Sequence, residues 1–160
     1  MNVLDELIHT TVRIETHDNH GDRGSGTGFI CNFAQRDSGK HVPAVVTNKH
    51  VVEGAVIGTF HMTVANNDGL PDYGNHVLVP VPNFDALCVK HPNNDVDLAA
   101  FPLVPILEWI KQKNKNPFYK SVPRDYWADT AFMNELSSVE DILMVGYPNG
   151  LWDSKNNLPI

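Results

Sequence analysis

The chain has 160 residues, 42% hydrophobic and 19% charged, enough to bury a core and unlike a disordered segment. Its net charge of -7 at pH 7 and the absence of a basic stripe argue against a nucleic-acid partner, which requires clustered Lys and Arg. No apolar run approaches the ~20 residues that span a bilayer, and Met1 to Glu15 lacks the charged-then-apolar pattern of a secretion signal, so a soluble, cytoplasmic protein is expected, with no membrane partner.

Val3, Leu4, Leu7 and Ile8 have helical spacing, which predicts a turn or two of helix over 2–9. Thr10 to Glu15 alternates as a strand does, with Val12 and Ile14 on one face. His17 to Gly26 is polar and glycine-containing, and reads as a hairpin loop. Gly28 to Phe33 and Val42 to Thr47 are the next expected strands, joined by a turn-rich connection over Gln35 to Lys40. Thr59 to Ala65 reads as a strand and Asn66 to Asn75 as a loop. Val77, Val79 and Val81 then alternate among prolines, as in an edge strand. Asp85 to Lys90 and Asp97 to Phe101 complete a set of short strands that points to an antiparallel barrel or sandwich.

The pattern changes after Leu103. Pro105 suits the first turn of a helix, whose apolar side is Ile106, Leu107, Trp109 and Ile110, running to about Asn114. Residues 115–137 read as an irregular linker with an aromatic cluster, Phe118, Tyr119, Tyr126, Trp127 and Phe132. Packing between sub-domains is the expected use of that cluster. Val139 to Val145 is expected to resume a strand, ending in the turn Gly146-Tyr147-Pro148-Asn149-Gly150.

Three stretches carry chemistry. Val45-Val46-Thr47-Asn48-Lys49-His50-Val51-Val52 runs an apolar strand into a small polar turn that presents a histidine. A general base needs this setting: the strand fixes the backbone while the imidazole emerges at the sheet's end. In Asp95-Val96-Asp97-Leu98-Ala99-Ala100-Phe101, Asp97 opens an apolar strand, where its carboxylate can accept the Nδ1–H of an imidazole and fix its tautomer. Asp95 is the alternative, deeper in the preceding polar loop; His91 in that loop is expected to be solvated. Gly24-Ser25-Gly26-Thr27-Gly28-Phe29-Ile30 is not a phosphate cradle, because a strand follows it rather than a helix. His17 and His20 have H-x-x-H spacing but no obvious third ligand, so no metal site and no cofactor is expected. Cys31 and Cys88 lack metal-type spacing and read as buried free thiols.

Taken in order, these stretches resemble the trypsin-like serine peptidases of chymotrypsin fold, closest to the disulfide-poor bacterial branch that includes the high-temperature-requirement proteases. Gly24 to Ile30 is similar to the family's "GSGFI" strand, Val46 to Val52 to its "TNxHVV" histidine motif, and Asp97-Leu98-Ala99 to its "DLA" aspartate motif. Val145-Gly146-Tyr147-Pro148-Asn149-Gly150 resembles its "GYPxG" turn. The likeness covers about residues 10–103 and 139–152.

The resemblance implies an all-β fold built on antiparallel Greek-key β-barrels, with one or two short helices. The first barrel would occupy 1–103, a helix and linker 104–138, and the first strand and turn of an incomplete second barrel 139–160. It implies His50 as general base and Asp97 as its orienting partner, acting on a polypeptide substrate. The chain departs from the family at the nucleophile, a serine expected in a G-N/D-S-G loop after the "GYPxG" turn. Ser121, Ser137, Ser138 and Ser154 have no glycine neighbour, Ser25 precedes His50, and neither cysteine stands where a cysteine nucleophile would. Without serine and oxyanion hole, the expected role is the N-terminal portion of a serine endopeptidase, inactive alone and completed by a missing C-terminal half or a second chain. The alternative is a non-catalytic pseudo-protease that binds protein through the barrel cleft or an exposed edge.

Overall fold

The computed structural model describes residues 3–33 and 41–160; the connection expected over Gln35 to Lys40 lies outside them. A short helix, α1 (Val3–Ile8), leads into a sheet built from β1 (Thr11–His17), β2 (Arg23–Phe33), β3 (Val42–Thr47), β4 (Ile57–Ala65), β5 (Pro71–Pro82), β6 (Val89–Lys90) and β7 (Ala99–Pro102). The seven strands lie in the order β5-β4-β1-β2-β3-β7-β6, and every ladder is antiparallel. The fold is therefore mostly antiparallel β-sheet with a few short helices: α2 (Lys49–Val52), α3 (Phe84–Leu87), α4 (Val104–Gln112) and α5 (Thr130–Glu135).

Alternation decides which side chains enter the core. Val12 and Ile14 of β1, Ile30 of β2, Val45 of β3, Phe60 and Met62 of β4, Val79 of β5 and Phe101 of β7 are all buried. Each such side chain contributes about 1.5–3 kcal/mol on leaving water. Phe60 lies 5.5 Å, centroid to centroid, from both Phe84 and Phe101. This aromatic centre ties α3 to strands that are far apart in the sheet order. The sheet also curls, because β5, β7 and α4 together line an apolar groove of about 270 Å³ that includes Val79, Phe101, Ile106 and Trp109.

Helix α4 ends in a left-handed cap. Asn114 has φ 57°; its N–H donates to the Lys111 carbonyl at 2.9 Å and the Lys115 N–H to that of Ile110 at 3.3 Å. These are the two bonds of a Schellman motif.

Four expectations are corrected. The hairpin loop is far shorter than His17 to Gly26, because Arg23 already pairs with His17 and Gly24 with Thr16. The glycines hid the strand: each stands where a side chain would collide. A Cβ on Gly26 would come within 2.5 Å of Val51, and one on Gly28 would overlap Val45. The expected strand Asp85 to Lys90 is instead α3 followed by the two-residue β6. Residues 115–137 are not wholly irregular, since α5 forms there with Asp129 accepting from the Phe132 N–H at 2.8 Å as its N-cap. Finally, Val139 to Val145 forms no strand. Val139 and Ile142 stand 87% and 82% exposed, and no neighbouring strand among the described residues offers a ladder.

The segment after it returns to the sheet. Gly146 and Ile160 exchange two backbone bonds, at 3.2 and 2.9 Å. Trp152 lies across the β1–β4–β5 surface, with the Arg13 guanidinium 4.9 Å from its ring centroid and the imidazoles of His61 and His76 at 5.1 and 6.2 Å. Asn157 donates to the His61 carbonyl and to Thr63 Oγ1, each at 3.1 Å. No helix among the described residues is long and apolar enough to cross a membrane.

Candidate active site

β3 ends at Thr47 and the chain turns directly into α2, a single helical turn whose second residue is His50. Three features fix this turn. Thr47 Oγ1 donates to the Thr27 carbonyl of β2 at 2.9 Å. Val52, at the end of α2, is fully buried. Gly26 leaves the room that Val51 fills. The imidazole is thus carried on a rigid base while its own side chain stays 70% exposed.

Asp97 approaches from the loop before β7. The two residues, 47 apart in sequence, meet through His50 Nδ1 and Asp97 Oδ2 at 2.6 Å. The other carboxylate oxygen, Oδ1, accepts the backbone N–H of His50 at 3.1 Å. The carboxylate therefore grips ring and main chain of one residue, which orients the imidazole as well as pairing with it. The hydrogen bond from His50, followed by backbone bonds from His50 and Lys49, holds the Asp97 carboxyl below the ordinary carboxylate range. At neutral pH it is an anion. An anion accepting at Nδ1 leaves the proton there and the lone pair on Nε2. Among the described residues no group hydrogen-bonds Nε2. The geometry suits proton abstraction by Nε2, with the resulting imidazolium stabilised by Asp97.

The other candidates lie elsewhere. Asp95 bonds within its own loop, its N–H donating to Asn93 Oδ1 at 3.0 Å. His91 is exposed, and its Nδ1 accepts the Asn93 N–H at 3.2 Å. His17 closes β1 and His20 lies in the turn after it; among the described residues no three His, Cys, Asp or Glu side chains gather as a metal site. Ser25 pairs with Glu15 inside the β1–β2 ladder. Ser121 accepts from Asn32 Nδ2 at 2.8 Å, and the Ser137 hydroxyl donates to the Val139 carbonyl while its N–H donates to Glu140 Oε1 at 2.7 Å. Cys31 is buried and Cys88 half-buried, and burial pushes both thiols up to about 11. At that value neither is a ready nucleophile.

Reading the sequence did not anticipate what Asn48 and Lys49 do. Both reach the loop that carries Asp97: Asn48 Nδ2 donates to the Asp97 carbonyl at 2.9 Å, and Lys49 Nζ to that of Asn93 at 2.7 Å. The signal was present, since both polar residues directly precede the histidine in a segment otherwise apolar. Comparisons with protein-family models, with curated proteins and with solved structures found no match.

Proposed function

We propose that the chain supplies the general base, His50, and the orienting carboxylate, Asp97, of a trypsin-like serine endopeptidase, on a Greek-key barrel of chymotrypsin type. One observation carries this reading: a single carboxylate holds both the ring and the main chain of an exposed histidine, at 2.6 and 3.1 Å. An exposed ion pair adds little to stability, so two well-aligned contacts at such a site speak for orientation of the imidazole. In the proposed reaction Nε2 takes the proton of a serine hydroxyl as it attacks a peptide carbonyl. Asp97 stabilises the imidazolium, and Nε2 then returns the proton to the leaving amine. The serine and the oxyanion-hole donors would come from chain other than these residues, either a further segment or a second polypeptide.

The test compares the 160-residue chain with the product of its whole reading frame, using an unstructured protein as substrate. The chain alone gives no turnover. The whole product hydrolyses the substrate, His50→Ala abolishes this, and Asp97→Asn lowers kcat by about 10⁴-fold through the wrong tautomer. Turnover by the 160-residue chain that His50→Ala removes would overturn the inactive-alone part. Absence of any His50-dependent hydrolysis in the whole product would overturn the protease reading. A protein-binding module would then be favoured by the exposed apolar residues Val139, Ile142, Leu143 and Met144.

A further inference from the structure

Asp97 is not held by the sheet. β7 begins at Ala99, and residues 91–95 before Asp97 are all exposed. A loop without ladder bonds does not by itself keep a carboxylate within the ~0.5 Å that a working hydrogen bond requires. Something must fix its main chain.

Three consecutive residues do so from the opposite side. Asn48, Lys49 and His50 each donate into the loop, to the Asp97 carbonyl, the Asn93 carbonyl and the Asp97 carboxylate respectively. The loop is braced between these points by the bond from the Asp95 N–H to Asn93 Oδ1 and by the His91 N–H donating to the Leu98 carbonyl at 2.9 Å. Asn48 is the informative member. It occupies the N-cap of α2 with extended backbone, φ -83° and ψ 149°, yet its side chain makes no capping bond. Asparagine at an N-cap ordinarily spends its side-chain oxygen on the first-turn N–H groups. Here the amide nitrogen is turned across the site instead, to the carbonyl of the very residue that must face His50.

We propose that Asn48 is a positioning residue, whose side-chain amide clamps the main chain at Asp97 so that one carboxylate meets both the ring and the backbone of His50. The role rests on the reading of His50 and Asp97 as base and orienter. It demands a donor: Asn48→Asp keeps the shape but sets a carboxylate oxygen against a carbonyl oxygen. Lys49 assists four residues upstream of Asp97, but a lysine ammonium on a flexible stem fixes less geometry than an amide.

The test follows the Asp97 carboxyl carbon and the His50 ring Nδ1–H by NMR in the 160-residue chain, across an acid titration. In the unsubstituted chain Asp97 titrates below the ordinary value of 3.8. In Asn48→Ala and Asn48→Asp the midpoint moves back toward that value, and the Nδ1–H signal is lost to solvent exchange. A lowered melting temperature with both signals unchanged would show a merely structural residue and overturn the proposal. Should neither variant fold, the unsubstituted chain still decides. A clamped Asn48 shows one slowly exchanging Nδ2 proton, and two equivalent, fast-exchanging protons overturn the clamp. In the whole reading-frame product, Asn48→Ala lowers kcat on the order of 10²-fold with KM unchanged. Hydrolysis dependent on His50 but indifferent to Asn48 overturns the clamp and spares the protease reading. A shifted Asp97 titration in a protein without hydrolysis does the reverse.

Discussion

Gly28 faces the core side chains of β1 and β3, and its missing side chain leaves the room they fill. A Cβ there would overlap Val45 and come within 3.0 Å of Ile14 Cδ1, both fully buried. Gly28→Ala is therefore an overpacking change, expected to cost about 1–3 kcal/mol. Urea denaturation reads it as a lower midpoint at unchanged slope; an unaltered midpoint would mean that Val45 yields without strain. The residue scale is where sequence reading reached furthest. His50 and Asp97 were legible because each stands where a polar turn or loop meets an apolar strand, and the structure brings them together at 2.6 Å. Asn48 was not, because what matters is the direction its amide takes, and no spacing rule encodes that.

The elements were legible in proportion to how much their own side chains determine them. β1 and β3 are buried, alternating or β-branched runs, and they lie close to where the pattern put them. Helix α4 followed from Pro105 and its apolar stripe, with an end set by Asn114. At φ 57° this residue lies in the left-handed region, where a side chain with a Cβ is strained and glycine is not. Asn114→Gly should hold or slightly raise the thermal midpoint, whereas Asn114→Ala should lower stability by about 1 kcal/mol. Equal midpoints for the two variants would show that the Schellman cap contributes nothing. The misread elements depend on context. The Arg23 end of β2 is glycine-rich and has no face to alternate. Val139 to Val145 has strand propensity but no strand beside it among the described residues, and propensity without a ladder does not make a strand.

Across the molecule, His9 and His61 are buried and His76 is half-buried. Burial is the main cause that lowers the pKa of His9, His61 and His76 from 6.5. Asp5 opposes the effect at His9 and Lys120 adds to it. At His61, Glu15 opposes while Arg13 and His76 add; at His76 Lys115 adds. The folded state thus prefers these rings neutral, whereas the unfolded chain protonates them near 6.5. Their contribution to stability is full above that pH and is lost as pH falls through the lowered folded values. The urea midpoint should decline as pH falls below about 6.5. His61→Gln should flatten the decline, and a flat profile in the unsubstituted chain would contradict the assignment. The sheet order carries one more consequence. β5 stands at one end of the sheet, and at 12 residues it is the longest strand among the described residues. A long bare edge is a template on which molecules stack into fibrils. Pro80 and Pro82 pair with Thr59 and Ile57 of β4, and that ladder can hold there only if their ring nitrogens face outward. The outer side then lacks two successive donors, and the strand best suited by length to seed aggregation cannot template a continuous ladder.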